Sequence, residues 1–189
     1  MVGDANAAVF SDEQLIEGCL RRDNAFREAL YRKYAKDLYL CALRYSNCEE
    51  DAQDVLQDAF LMIFEHMAQF RKEGNLSAWM RTIVIRQAMH LYRRSLKRWQ
   101  HTLPLDGEQE VVLEDPSGTA LSRLQHQQLL QLVQELPTGY RMVFNLCEIE
   151  GYSYEEAAEM LHCSQANCRS QLARAKSRLR ERINALEHI

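Results

Sequence analysis

Apolar residues in this chain return every three or four positions, the period of a helix with one buried face. No segment alternates as a strand, so the pattern predicts an all-α protein. Ser11 with Gln14 offers a capping box for a helix to about Arg22. Asp23 opens a second, in which Phe26, Leu30, Tyr34, Leu38, Cys41 and Tyr45 form a continuous apolar face. Asn47 with Glu50 suggests another capping box, starting a helix to about Met67 that buries Val55, Leu56, Ala59, Phe60 and Ile63. After a loop over Gln69 to Asn75, a long helix from about Leu76 to Trp99 places Trp79, Met80, Ile83, Val84, Ala88 and Leu91 over the earlier ones. Residues 1–10 lack periodicity and are expected to be disordered.

Periodicity fails again from about Gln100 to Gly118, where Pro104, Gly107, Pro116 and Gly118 gather, as in a linker between two domains. The expected division is a first domain over 11–99, a linker over 100–119 and a second domain over 120–189. In the second domain, Leu121, Leu124, Leu129, Leu132 and Val133 outline a helix stopped at Leu136-Pro137, and another runs from about Thr138 to Glu148. The stretch from Gly151 to Leu179 then spells two short helices and a turn. Ser153 with Glu156 makes a capping box, Ala157, Ala158 and Leu161 form a strip, and Ser164 can cap the next helix. There, Cys168, Leu172, Ala175 and Leu179 share one buried face. Arg169, Ser170, Arg174 and Arg178 fall on its flanks and far side.

This is a helix-turn-helix pattern. An α-helix fits the DNA major groove, its first turns reach base edges, and arginines further along neutralise phosphates. An arginine-rich amphipathic helix is often only a solvated one. Against that bland reading stand the double capping, the small Ala157-Ala158 pair at a helix crossing, and six basic residues to one acid between Arg169 and Arg182.

The formal charge of −4 is unevenly spread. Arg81 to Arg98 holds six basic residues and no acid, whereas Glu49 to Asp58 and Asp106 to Asp115 each hold five acids and no base. Glu49, Glu50 and Asp51 complement a helix dipole, but Asp54 and Asp58 lie beyond the first turn and need another explanation. The six cysteines sit inside helical patterns, with no signal peptide or long apolar run, which points to a reduced cytoplasm. Cys163 and Cys168 beside His162 invite a metal reading. It is weakened because Cys168 lies on the buried stripe and no second ligand pair has zinc-like spacing. No cofactor is expected, and no Ser/His/Asp set or glycine-rich phosphate loop suggests an enzyme.

With these residues in view, nearly the whole chain resembles the extracytoplasmic-function group of bacterial sigma-70 family sigma factors. Asp51-Ala-Gln-Asp-Val-Leu-Gln-Asp-Ala-Phe60 is similar to the polymerase-docking helix. Phe70 to Trp79 is similar to the loop that captures the −10 element, and Leu136 to Leu179 to the domain that binds the −35 element. The resemblance implies that Asp51, Asp54, Gln57 and Asp58 meet the clamp coiled coil of core RNA polymerase, with Leu56 and Phe60 supporting them from beneath, and that the polymerase flap is a further partner. It implies −10 contacts from Arg71, Lys72, Asn75, Trp79, Arg81, Arg86, Arg93 and Arg94. For −35 DNA it implies Gln165, Asn167, Arg169, Ser170, Arg174, Lys176 and Arg178. The linker would thread the polymerase's RNA exit path, and an anti-sigma factor, membrane-bound in the usual arrangement, would hide the DNA-binding faces. The chain departs from the family pattern at Arg86, where Asn is usual, and at His90, where an acid is. It departs also at His162, where the turn usually has Gly, and at Cys168, where Val is common. The competing readings are a stand-alone helix-turn-helix regulator with an N-terminal sensing or dimerising domain, and a cytosolic enzyme using Cys163 and His162.

Overall fold

The structure, a computed structural model, describes residues 10–71, 74–100 and 130–187. Residues 1–9 of the expected disordered start, Lys72, residues 101–119 of the linker and the apolar positions Leu121, Leu124 and Leu129 lie outside the described residues. So do the side chains of Lys97, Arg98 and Trp99. Phe10 is not disordered as expected: its ring packs 4.8 Å from that of Phe26, and Gln100, expected in the linker, still belongs to the helix that starts at Leu76. Every regular element among the described residues is helical.

The first domain contains α1 (Asp12–Leu20), α2 (Asn24–Tyr45), α3 (Glu49–His66) and α4 (Leu76–Gln100), with a short 3₁₀ turn over Met67–Gln69. Ser11 and Gln14 form the reciprocal capping box, and Asp23 caps α2 by accepting from the Ala25 amide. The cap of α3 lies one residue later than the sequence suggests. Cys48, not Asn47, is the N-cap, its Sγ accepting from the Asp51 amide. The Asn47 amide oxygen is taken instead by Arg141 and Thr138 of the second domain. A long-range contact thus overrides a local one. Helices α2, α3 and α4 pack on one another around Leu30, Ile63, Met80 and Val84, all fully buried. Helix α1 crosses α2 at Gly18, where an added methyl would lie 2.0 Å from Phe26 Cγ.

The second domain is described from a helical stretch, α5, over residues 130–134. Helices α6 (Thr138–Phe144), α7 (Tyr154–Leu161) and α8 (Gln165–Glu187) follow. The expected single helix to about Glu148 instead opens into a π-helical turn over Asn145–Ile149, a departure often found at functional positions. The Glu150 amide donates back to the Asn145 carbonyl at 2.9 Å, and Gly151 leaves the turn at φ 78°, in the left-handed region that suits glycine. Helix α8 packs on α6 and α7, with Leu132, Val133, Leu136, Ala175 and Leu179 in a local cluster.

The two domains are packed together. Met142, Val143, Leu146, Ala157 and Ala158 belong to the same apolar core as the first domain's helices, and α7 touches α4.

Candidate functional site

The helix-turn-helix is built by its caps. Ser153 N donates to Glu156 Oε2 at 2.8 Å and Glu156 N to Ser153 Oγ at 3.2 Å, closing the capping box. The Ser153 amide, then its hydroxyl, holds the Glu156 carboxyl below its ordinary pKa. At the other end of α7, His162 takes the left-handed conformation, φ 53° and ψ 46°. The Cys163 amide donates to Ala158 O at 3.0 Å and the His162 amide to Glu159 O at 3.3 Å, a Schellman closure. Ser164 Oγ then accepts from the Asn167 amide at 3.1 Å and starts α8. Ala157 and Cys168, both at 0% exposure, let α7 and α8 cross closely.

This orients α8. Cys168, Leu172, Ala175 and Leu179 face inward, while Gln165, Asn167, Arg169, Ser170, Arg174, Lys176 and Arg178 are all exposed. Arg169 lies over the Tyr154 ring at 5.4 Å and Arg178 over Tyr140 at 5.9 Å. Arg174 Nη1 donates to the Tyr140 hydroxyl at 3.4 Å. Two tyrosines thus restrict three arginines without neutralising them. Lys176 is paired with Glu148 at 2.8 Å, a half-exposed contact that water and salt screen. Arg169 and Arg174 stand about 7.5 Å apart along the axis at 1.5 Å per residue.

The cysteines bear on the metal question. Cys163 and Cys168 Sγ lie 3.4 Å apart, and burial pushes the Cys168 thiol up to about 12, the setting of an unreactive packed thiol. Among the described residues no group of three or more His, Cys, Asp or Glu side chains could hold a metal ion.

On α3, Asp54, Gln57 and Asp58 are exposed and Asp51 is half-buried. Leu56 and Phe60 are buried beneath them, and the Phe60 ring packs against Tyr31 at 4.7 Å. Leu61, 62% exposed, shares the face of Asp54 and Asp58 one turn on. Sequence reasoning missed it because a leucine one position from a buried phenylalanine passes for core.

Around the loop before α4, Arg71 is exposed, and Asn75 caps α4 by accepting from the Ser77 amide at 2.8 Å. Trp79 is half-buried with its ring 5.4 Å from that of Phe70. On α4, Arg86, His90 and Arg94 are exposed. Arg81 and Arg93 are engaged by the second domain. Arg81 pairs with Glu150, and Arg93 Nη1 donates to Met160 O at 3.3 Å and meets His162 Nε2 at 2.9 Å.

The remaining polar cluster joins the domains. Glu150, with a side chain only 7% exposed, lies 2.8 Å from Arg44 Nη2 and 2.8 Å from Arg81 Nε. Asn145, fully buried, donates to Arg44 O at 2.7 Å, and Gln134 donates to Leu43 O at 3.1 Å. These carbonyls belong to the last turn of α2, where the Ser46 amide reaches Leu43 O only at 3.3 Å, so the second domain helps cap the first domain's helix. Arg141, 2% exposed, donates to Gln134 O at 2.8 Å and to Asn47. Burial lowers its pKa to about 10, which still leaves it cationic at neutral pH. Sequence reasoning singled out none of Arg44, Glu150, Asn47 and Arg141 for this role. Asp51 and Asp54 line a cleft of about 370 Å³ closed by Thr138 and Met142.

Comparison with known proteins fits this geometry. Residues 30–99 match Sigma-70 region 2 and residues 126–179 match Sigma-70 region 4. The chain is 27% identical over 183 residues to the RNA polymerase sigma-H factor of Pseudomonas aeruginosa, covering 93% of this chain and 95% of the relative. It is 24% identical over 185 residues to the ECF RNA polymerase sigma-E factor of Escherichia coli, covering 93% and 96%. With the ECF RNA polymerase sigma factor SigM of Mycobacterium tuberculosis it shares 28% over 169 residues, 89% of this chain and 83% of the relative. In fold it is similar to the sigma factor RpoE of Bartonella quintana, solved in complex with the anti-sigma factor NepR. The TM-score is 0.52 at 21% identity, over 83% of this chain and 96% of that one. Both helical domains match sigma-70 regions, and the chain belongs to the extracytoplasmic-function group of the sigma-70 family.

Proposed function

We propose that the protein binds core RNA polymerase and directs it to promoters with −35 and −10 elements. The observation that carries this reading is the pairing of two outward faces on separate domains: the acids of α3 and the arginines of α8. Asp54, Gln57 and Asp58, with Leu61 continuing their face, offer a charged patch with an apolar edge to the basic clamp of the polymerase. On the other domain, Gln165, Asn167, Arg169, Ser170 and Arg174 enter the major groove at −35, while Arg178 and Lys176 meet phosphates. Arg71, Asn75 and Trp79 receive a base of the melted −10 strand, and the cations of α4 follow its backbone. The polymerase does the chemistry; this chain supplies the address and helps hold the opened strand.

An anti-sigma factor fits the same reading, since one partner covering both faces silences both contacts. No described helix is long and apolar enough to cross a membrane. As a partner of the polymerase, the protein acts in the cytoplasm, and a membrane-bound anti-sigma factor would hold it near the membrane. The test is run-off transcription with core polymerase on promoters taken from upstream of the protein's own gene. Discrete transcripts that require the protein support the reading. Tight, sequence-specific duplex binding by the free protein, with no transcript and no gain from polymerase, points to a stand-alone regulator instead.

A further inference from the structure

The contact between the domains is polar at its centre, and its chemistry is specific. A single carboxylate, Glu150, stands between two guanidinium groups brought together by α2 and α4. Arg44 Nη2 donates to Glu150 Oε1 at 2.8 Å and Arg81 Nη2 to the same oxygen at 3.1 Å. Remove the acid and two half-buried cations are left side by side without an anion, a state that is costly unless another anion fills it. The geometry required is that of a doubly charge-assisted acceptor, which a phosphodiester supplies as well as a carboxylate does. Arg81 also lies on the same helix as Arg86 and Arg94, which remain exposed.

We infer that Arg44 and Arg81 form a binding site for a backbone phosphate of single-stranded DNA, and that Glu150 occupies it as an internal phosphate mimic while the domains are closed. This rests on the reading of the chain as a sigma factor but assigns what that reading does not: a ligand for Arg44, a role for Glu150, and an exchange between them. The other contacts make the exchange a domain movement. Gln134 and Asn145 cap α2 from the second domain, and Arg93 is held at Met160 and His162, so drawing Glu150 away exposes a second α4 cation. Opening also uncovers the half-buried Asp51, which lines the cleft with Thr138 and Met142. Docking to polymerase and release of the phosphate site are thereby coupled: a partner that binds only the open form shifts the population toward it.

The experiment measures binding of fluorescein-labelled oligo-dT to the full chain across a salt series, in the absence of polymerase. Glu150→Gln should bind about tenfold more tightly than the parent, the equivalent of one charge-assisted hydrogen bond. Its salt dependence should steepen by about 0.7 in log–log slope, for one additional phosphate contact. Small-angle scattering should show a larger radius of gyration. Adding Arg44→Gln to Glu150→Gln should abolish most of the gain while the scattering stays expanded. Glu150→Asp, too short to span both arginines, should give an intermediate gain and carries the same test if Glu150→Gln folds poorly. Unchanged affinity and slope in the variants that fold, or a gain that survives Arg44→Gln, overturns the inference. A parent chain that does not bind core polymerase in a parallel pull-down overturns the sigma-factor reading instead, and the oligo-dT measurement does not depend on that result.

Discussion

Reversing Asp54 and Asp58 separates docking from folding. Both carboxylates are exposed and lie beyond the first turn of α3, and neither is in an ion pair among the described residues. They are four residues apart on one face, where like charges repel by about 0.2–0.5 kcal/mol. Asp54→Lys/Asp58→Lys therefore keeps the fold and changes stability by no more than about 0.5 kcal/mol, as surface substitutions do. Binding behaves differently. An exposed cross-interface ion pair contributes up to about 1 kcal/mol, and reversal replaces attraction with comparable repulsion, so two sites lose about 2–4 kcal/mol. At 1.4 kcal/mol per decade that is roughly a 30- to 700-fold rise in Kd for core polymerase. The assay is fluorescence anisotropy of labelled protein titrated with core enzyme at several salt concentrations, with urea melts of both proteins as the folding control. The loss should be greatest at low salt. A double variant that melts like the parent and binds equally well at every salt concentration refutes the docking assignment.

Arg169→Ala and Arg174→Ala should each reduce discrimination at the −35 element by about 1–3 kcal/mol where the guanidinium is bidentate to a base, or flatten the salt slope by about one where it meets a phosphate; competition binding of polymerase holoenzyme to mutated promoters reads both. Gly18→Ala should destabilise the first domain by about 1–3 kcal/mol, because its methyl would lie 2.0 Å from Phe26 Cγ, and urea unfolding measures the loss. Glu156→Gln keeps the capping geometry but removes the charge. Since the folded pKa of Glu156 is held below 4.5, its charge-dependent stability is present above that value and lost as pH falls through the lowered one. The stability difference between parent and variant should therefore be present at neutral pH and vanish at acid pH.

Local chemistry made much of the fold legible. Ser11, Asp23, Ser153 and Ser164 cap the helices that their spacing announces, because a cap bonds within three residues of itself. The stripe Cys168, Leu172, Ala175, Leu179 is buried as its period requires, and His162 takes the left-handed turn expected where a glycine is usual. What escaped was non-local. Asn47 has the composition of a cap, but its oxygen bonds Arg141 ninety-four residues away, and the cap moves to Cys48. The π turn at Asn145–Ile149 has no signal of its own; its sequence reads as ordinary helix, and Asn145 within it donates to Arg44 O at the end of α2, a partner the sequence does not reveal. Glu150 and Arg44 are 106 residues apart, and neither residue type nor spacing reveals that they meet. Of the candidate DNA contacts, the α8 set could be placed off the buried stripe, on the flanks and far side of the helix, from period alone. For Arg81 and Arg93 the period gave the helix face but not the second domain that now sits against it.

The composition of the domain contact argues that it is made to open. A buried ion cluster contributes little net stability, since desolvating three charges offsets most of their attraction, and an apolar replacement of similar volume is often neutral or more stable by about 1–4 kcal/mol. If Arg44, Glu150 and Arg81 served only to hold the domains together, apolar residues would do it better. Their value lies in being exchangeable: each charged partner can be met by water, phosphate or another protein when the domains part, whereas a leucine cluster would resist exposure. The triple variant Arg44→Met/Glu150→Leu/Arg81→Met should accordingly retain or raise the midpoint of urea unfolding while losing transcription, because it stays closed and has lost the phosphate site. Urea melts and run-off transcription with core polymerase test the two halves separately. A variant destabilised by more than about 2 kcal/mol would show the cluster to be structural, and one that transcribes like the parent would show that neither opening nor these arginines matters to initiation.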